Sequence, residues 1–387
     1  MIAPARRAAF DVVRRVFEED AYADRALASA VEGLDERDRA LAQRLAYGTV
    51  QRTRTIDFGI EQAGKRPVRK LDPPVRAALR VGAYQLAWTD QAVHAVVDDA
   101  VELVRAAKRE RAVPFTNAVM RRLAQSFNGL VASLPEGPVK HSYPDWIFDV
   151  WRRDFGLDAA LSLMRAQNEP PQLEVRADEP VGEATDVPGA YVVERVDTAH
   201  MRPMSRASQL AAIVVGSQPG ERVLDGCAAP GGKSLILQGE VTAVELHPGR
   251  AEAMAKRMPP NVRVVTTDLR ELDESGFDRA LVDSPCSGLG VLARRPDLRW
   301  RASPLPDLQL ELLRAAAERT RPGGTVVYSV CTLNADENEA VVDAAGLEIE
   351  SLGDEWPQYA HPSRPEFLLT RPDRDRTSGF FIARLRV

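Results

Sequence analysis

The sequence predicts a multidomain protein: an all-helical domain over residues 1–135, a small α+β insert over 140–205, and a doubly wound α/β domain over 206–387. Three observations carry this reading. Apolar residues recur at helical spacing, and never at period two, from residue 3 to about 128. After Pro170-Pro171 the texture changes to short alternating strands. From Arg222 onward, apolar runs of strand length alternate with helical stretches, the pattern of a mainly parallel sheet.

Ala9, Val12, Val13, Val16 and Phe17 form the first apolar stripe, with charges between them. Similar stripes follow at Leu41 and Leu45, at Val75, Leu79 and Leu86, and at Val93, Val96, Val97, Val101 and Val104. Asp72 before Pro73-Pro74 reads as a helix N-cap, because proline lacks the N–H that the first turn leaves unpaired anyway. Gly129, Pro135, Gly137, Pro138 and Pro144 mark residues 128–143 as a linker. A helix is expected from Trp146 to about Gln167. Alternation in Leu173-Glu174-Val175-Arg176 and the run Tyr191-Val192-Val193 predict strands of the insert. In the last domain strands are expected at 222–225, 242–246, 262–266, 279–283, 325–330, 347–352 and 380–385. Helices are expected after Gly232, from Pro248 to Met258 and from Leu305 to Thr320.

Three cysteines in 387 residues exclude a disulfide framework, and no Cys/His spacing suggests zinc. Free thiols fit a reducing cytoplasm. The N-terminus carries Arg6, Arg7 and Asp11 and has no apolar signal segment, and the uncharged stretch from Ala207 to Gly220 is too short to span a bilayer. The net charge of −5 argues against bulk nucleic-acid binding, but it is unevenly distributed. Residues 1–135 hold 22 Lys/Arg against 17 Asp/Glu, a net of +5 that leaves −10 for the rest. The excess gathers at Lys65, Arg66, Arg69 and Lys70 and at Arg105, Lys108, Arg109, Arg111, Arg121 and Arg122. A basic face on an acidic enzyme is compatible with RNA; solvated helix faces would look the same.

The chemistry gathers at strand ends. Asp225-Gly226-Cys227-Ala228-Ala229-Pro230-Gly231-Gly232-Lys233-Ser234 is a strand followed by small residues and a glycine pair, a turn that lets a ligand approach the backbone closely. A phosphate loop needs four residues between its first glycine and Gly-Lys-Ser; here Gly226 and Gly232 bracket five, one residue out of register. The other reading is the cofactor loop of an S-adenosylmethionine methyltransferase. Glu245 closes the second strand, where an acid typically holds ribose hydroxyls. Asp268 follows the third and could accept from an adenine amine, and Asp283 ends the fourth. Three acids at successive strand ends suit a ribose, an adenine and a sulfonium, and would repel a triphosphate.

Cys286 and Cys331 follow the fourth and fifth strands, which are neighbours in a 3-2-1-4-5 sheet. Two thiols side by side suit methylation at carbon 5 of a pyrimidine, a poor nucleophile until a thiolate adds to carbon 6; a base must then remove the carbon 5 proton so that elimination frees the thiol. The plain alternative is a pair of buried cysteines acting as small apolar residues.

With these motifs in place, the sequence resembles bacterial RNA 5-methylcytosine methyltransferases of the Fmu/Sun (RsmB) family over nearly its whole length. Cys227–Lys233, Asp283-Ser284-Pro285-Cys286-Ser287-Gly288 and Tyr328-Ser329-Val330-Cys331-Thr332-Leu333 with Glu337-Asn338-Glu339 carry the resemblance. Arg294-Arg295-Pro296-Asp297 and Gly379-Phe380-Phe381-Ile382-Ala383 add to it, and the helical part is similar to a NusB-type RNA-binding domain. The resemblance implies a Rossmann-like domain with Cys331 as the nucleophile on carbon 6 and Cys286 assisting proton removal and release. It implies Asp283 on the cytosine N3 edge and Lys233 orienting base or cofactor. The expected S-adenosylmethionine-binding set is Cys227, Ala228, Ala229, Pro230, Gly231, Gly232, Lys233, Glu245, Arg250, Asp268 and Asp283. Three departures stand out: Glu245 where Asp is common, Ser205-Arg206-Ala207-Ser208-Gln209 without the acid usual before the serine, and Val175-Arg176-Ala177-Asp178 in place of the commoner Arg-x-Asn ending.

The expected function is cytosine-5 methylation of small-subunit (16S) ribosomal RNA by a cytoplasmic monomer without metal or membrane. The RNA base must be unpaired or flipped for carbon 6 to be reached. Arg176, Arg206, Arg294 and Arg295 are candidate phosphate contacts. Two other classes remain open: a non-catalytic RNA-binding assembly factor with a degenerate methyltransferase domain, and a P-loop ATPase.

Overall fold

The computed structural model describes residues 2–387, which divide into two compact units. The first comprises residues up to Asn168 together with Leu292–Arg301; the second comprises Glu169–Val291 and Ala302–Val387.

The first unit is helical: α1 (Pro4–Glu18), α2 (Ala23–Ala30), α3 (Glu36–Gln51), α4 (Thr53–Gly64), α5 (Pro73–Trp88), α6 (Val93–Ala106), α7 (Val113–Ser133), α8 (Pro138–His141), α9 (Asp145–Phe155) and α10 (Leu157–Ala166). The long helices bury most of the face their apolar spacing defines, but Val93, the first residue of its expected stripe, is 52% exposed at the start of α6. In α1, Ala5, Ala8, Ala9, Val12, Val13 and Val16 are buried, and α5 and α6 add Val75, Leu79, Val96, Val97 and Val104 to the same core. Asp35 caps α3, its carboxylate accepting from the Asp38 N–H at 2.8 Å. Asp72 stands at the N-cap of α5 as expected but makes no side-chain cap; its carboxylate instead pairs with Arg109 at 2.5 Å. The expected linker from residue 128 begins later, because α7 continues through Gly129 to Ser133. A single glycine costs a helix only about 1 kcal/mol, and the α7 residues Leu123 and Phe127 just before it are buried in the core.

The segment Leu292–Arg301 is part of this helical unit although it lies far along the chain. Arg299 is fully buried there. Its guanidinium donates to Gln51 O (3.1 Å), Ser142 O (3.3 Å), Asn168 Oδ1 (2.8 Å) and Gln167 O (2.8 Å), and lies 3.9 Å from the centre of the Tyr143 ring. Burial lowers its pKa to about 10, so it stays charged at neutral pH. Arg299→Met would strand several buried acceptors and is expected to cost about 3 kcal/mol. The check is the urea midpoint of the full chain, which an ornamental arginine would leave in place.

The second unit opens with β1 (Glu174–Arg176), β2 (Glu183–Ala184), β3 (Ala190–Val192) and β4 (Arg202–Pro203), an antiparallel sheet in the order β2-β3-β1-β4. After α11 (Arg206–Ile213) come β5 (Arg222–Asp225), β6 (Glu240–Val244), α12 (Pro248–Ala255), β7 (Val262–Val265) and β8 (Phe277–Asp283). The one-turn α13 (Leu298–Arg301) falls in the segment already placed with the helical unit. Then follow α14 (Pro306–Arg319), β9 (Thr320–Val330), α15 (Glu339–Ala345), β10 (Glu348–Glu350), β11 (Leu368–Thr370), α16 (Pro372–Asp375) and β12 (Phe380–Arg386). The main sheet runs β10-β12-β9-β8-β5-β6-β7, with β11 on β12. Strands β7, β6, β5, β8 and β9 are parallel, so the 3-2-1-4-5 order holds, and β12 returns antiparallel to β9.

Two features of this unit differ from expectation. The helices over 145–167 pack with the first unit, so the structure divides at residue 168 rather than at 135–140 and 205. No helix follows Gly232: residues 232–236 form turns, with Leu235 N–H bonded to Gly231 O (3.2 Å) and Ile236 N–H to Lys233 O (2.9 Å). The Ser234 hydroxyl is drawn back to Asp225 at 2.6 Å, which holds the loop against its own strand.

Candidate active site at the carboxyl ends of the strands

In a doubly wound sheet the ligand crevice opens where successive connections leave in opposite directions. Here that point lies between β5, whose chain goes on to β6, and β8, which flanks β5 on the other side. The register sets Asp225 beside Leu281 and Asp283 beside Ser329, so the polar strand ends are level with one another.

The loop after β5 carries the small residues expected of it. The Ala229–Pro230 peptide is cis, and Gly231 has φ +97°, a conformation that favours glycine. A Cβ on Gly231 would meet the Met258 methyl at 2.7 Å, so the loop lies flat against α12 and its neighbours. Cys227 is half-buried at its start. Burial raises its pKa, and Asp225, Asp283, Glu245 and Asp268 add to the effect, so this thiol is no nucleophile at neutral pH. Asp225 is buried and pushed up to about 6 by that burial; one of its carboxylate oxygens has no hydrogen-bond partner within the protein.

Lys233 and Asp283 meet across the crevice. The ammonium donates to Asp283 Oδ2 at 2.5 Å and lies 5.3 Å from the centre of the Phe380 ring. Ser329 Oγ donates to Asp283 Oδ1 at 2.9 Å. Both oxygens of Asp283 are therefore oriented from opposite sides, which fixes the carboxylate plane. Ser329 escaped the sequence reading, although alternation along β9 places it on the face opposite its neighbours Tyr328 and Val330.

The two thiols are brought together as expected. Cys286 Sγ and Cys331 Sγ lie 3.4 Å apart, both residues half-buried. Their loops are tied directly: Ser284 N–H donates to Ser329 O (2.9 Å) and Gly290 N–H to Cys331 O (3.0 Å). Gly290 packs against Gly379 so closely that a Cβ would meet the Gly379 carbonyl oxygen at 2.0 Å. The Cys286 pKa is raised, first by its hydrogen bond with Cys331 and then by burial.

Other candidate residues have local partners. Glu245 is almost fully buried and accepts from His247 N–H (2.7 Å) and from Arg250 (2.7 Å). Asp268 accepts from the backbone and guanidinium of Arg270, whose hydrogen bonds lower its pKa. Leu246, next to Glu245, is 54% exposed, an apolar surface at the strand end that charge-based reading passed over. The arginines offered as phosphate contacts are engaged elsewhere. Arg206 pairs with Glu174 (3.4 Å), Asp186 (3.5 Å) and the Asp375 carbonyl, cross-linking its own unit. Arg176 donates to Pro188 O and Gln209, and Arg295 faces Asp297, Asp24 and the Tyr22 ring within the helical unit.

A 3-2-1-4-5 sheet closed by an antiparallel strand, with acids on its strand ends and a thiol pair beside them, defines a methyltransferase domain, here preceded by an all-helical module. Residues 212–386 match the family described as 16S rRNA methyltransferase RsmB/F, and residues 3–125 match the NusB family. A ribosomal RNA small subunit methyltransferase B of Thermus thermophilus is 38% identical over 91% of this chain and 89% of its own length. A probable ribosomal RNA small subunit methyltransferase B of Synechocystis is 31% identical over 99% of both chains. The crystal structure of PH0851 shares the fold, with a TM-score of 0.82 and 21% identity over 100% of this chain and 99% of that one. The chain belongs to the RsmB/F family of ribosomal RNA small subunit methyltransferases. Among the described residues no helix is long and apolar enough to cross a membrane.

Proposed function

We propose that this protein methylates carbon 5 of a cytosine in 16S ribosomal RNA, using S-adenosylmethionine and a transient bond between Cys331 and the base. The observation that carries this reading is the 3.4 Å separation of Cys286 Sγ and Cys331 Sγ beside Asp283. The residues present fit the cofactor. Glu245 at the end of β6 suits a ribose diol, the exposed Leu246 an adenine face, and the flat turn at Gly231 a close backbone approach. Asp283 and the partnerless oxygen of Asp225 supply negative potential toward a sulfonium. Bound there, S-adenosylmethionine supplies an electrophilic methyl group.

The protein's own part begins with Cys331. Its sulfur, ionised by loss of its proton to solvent, bonds to carbon 6, and the electron pair of the 5,6 double bond moves to carbon 5, which becomes the nucleophile. Asp283, clamped between Lys233 and Ser329, holds the polar edge of the base. Adduct formation removes negative charge from Cys331 and with it the largest cause holding Cys286 protonated. Cys286 then releases its proton to solvent and takes the proton from carbon 5. The 5,6 double bond re-forms as the bond from Cys331 to carbon 6 breaks, and both sulfurs return to their starting states. An intact thiol pair and Lys233–Asp283 contact speak against a degenerate domain.

Bisulfite mapping of cellular 16S RNA with the protein present and absent tests the whole reading. One protected cytosine should be lost with the protein; an unchanged map would end it. Calorimetry should detect S-adenosylhomocysteine and not ATP, and tight ATP binding would restore the phosphate-loop reading.

RNA recognition is assigned to the helical unit, where Lys65, Arg69, Lys70, Lys108, Arg111 and Arg121 are exposed. Reversing Lys65, Arg69 and Lys70 together to glutamate is expected to weaken RNA binding more than about tenfold at low salt. The slope of log affinity against log salt should flatten by about two, since each phosphate contact on a single strand contributes roughly 0.7. Affinity for S-adenosylhomocysteine should not change. An unaltered salt slope would move the RNA surface elsewhere.

A further inference from the structure

Glu337 lies six residues after Cys331 in the connection from β9 to α15, and its buried carboxylate is where the two thiol loops meet. Oε1 accepts from the Ser287 N–H (2.9 Å), the Leu305 N–H (3.2 Å) and Gln309 Nε2 (3.0 Å). Oε2 accepts from the Ser287 hydroxyl, from Asn334 Nδ2 (3.2 Å) and from Thr332 Oγ1 (3.4 Å). Ser287 Oγ, its own hydrogen given to Glu337, accepts from Thr332 Oγ1 at 2.7 Å, so the Thr332 hydrogen is shared between Ser287 and Glu337. Ser287 directly follows Cys286, and Thr332 directly follows Cys331. One fully buried carboxylate thus gathers donors from the residue after each thiol, from the start of α14 and from its own turn. Tyr328 OH fixes the Glu337 backbone, donating to its carbonyl at 2.7 Å.

A carboxylate offers about four lone-pair sites, and six donors converge on this one, so little freedom is left to either loop. Burying a charge is tolerated only when it is this well satisfied. A buried structural acid could sit anywhere in the core. This one sits one residue from each sulfur, and no cation pairs with it among the described residues, so only dipoles from the thiol loops and their supports offset its charge. Glutamine in the same place would keep the shape but present N–H groups to the Ser287 hydroxyl and Asn334 side.

We propose that Glu337 is a positioning residue for the methylation reaction, holding Cys286 and Cys331 at the spacing the addition–elimination cycle needs. The proposal rests on the thiol mechanism above for its catalytic meaning, and its test includes an arm independent of that mechanism. Diamide oxidises two neighbouring thiols to a disulfide, taking up their two electrons and two protons. The rate at which peptides containing Cys286 and Cys331 become linked therefore reports sulfur spacing without RNA or cofactor.

In Glu337→Ala the link should form about tenfold more slowly, and kcat should fall by about 10² with KM for RNA changed less than about threefold. Glu337→Gln, which keeps one acceptor oxygen, should fall between wild type and alanine on both measures. Should the alanine variant fail to fold, the glutamine variant decides: link formation and kcat both slowed supports the proposal. Wild-type values of both in a folded variant would overturn it. If wild type itself methylates no RNA, the thiol mechanism fails while the linking rate still decides whether Glu337 sets the spacing.

Discussion

Cys331→Ala is expected to abolish methylation, lowering kcat by at least about 10³ with RNA and cofactor affinity unchanged. The expectation follows from what the side chain contributes. Carbon 5 of cytosine acquires nucleophilic character only while carbon 6 carries a donor, and in the intact protein neither of the other two cysteines is ionised to supply one. Cys227 is held protonated by burial among four carboxylates. Cys286 is held protonated by its bond with Cys331. Removing the Cys331 sulfur frees Cys286 from that bond, and any residual rate is expected to run through Cys286. Cys286→Ala/Cys331→Ala should remove that residue of activity as well. The assay is incorporation of labelled methyl into 16S RNA transcripts, with circular dichroism confirming the fold. Near-normal turnover in Cys331→Ala would remove the nucleophile from the scheme.

The thiols, Asp283 and the loop at Gly231 could be read from the sequence because each ends an apolar run of strand length, and strand ends of a parallel sheet converge. The same alternation of strands and helices predicted the mainly parallel sheet, while its 3-2-1-4-5 order came with the methyltransferase reading of the site. Other features depend on contacts that alternation does not encode. Residues 232–236 carry glycine, lysine and serine, which read as a helix start, but the Ser234–Asp225 bond holds them as turns. Arg250 and Arg270 lie five and two residues from the acids they pair with, and nothing in residue type says whether such an arginine faces solvent or carboxylate. Glu337 was visible as part of a motif, but four of its six donors come from distant segments, so its role appears only in three dimensions. The helical module shows the reverse case. Its stripes were plain, while the membership of Leu292–Arg301 in that unit comes from long-range contacts, among them a buried guanidinium with four oxygen acceptors and the Trp300 N–H on Val50 O.

Cys286→Ala separates addition from release. Cys331 is intact in this variant, so its sulfur should still add to carbon 6 and carbon 5 should still take up a methyl group. What the variant lacks is the base for the carbon 5 proton. The expected result is one methyl transferred per protein in a burst, followed by turnover slowed about 10²–10³-fold, within the range a general base contributes. The stalled species should run as a protein–RNA band on a denaturing gel and vanish in Cys286→Ala/Cys331→Ala. A pH series adds an independent sign. Burial still raises the Cys286 thiol once the hydrogen bond with Cys331 is gone, so wild-type turnover should rise with pH through neutrality into the alkaline region, as more of the adduct finds Cys286 ionised. The alanine variant has no such group, so its slow release should lose that rise. Normal turnover without an accumulating band would assign proton removal to another base, leaving Cys286 as a spectator 3.4 Å from the reacting sulfur.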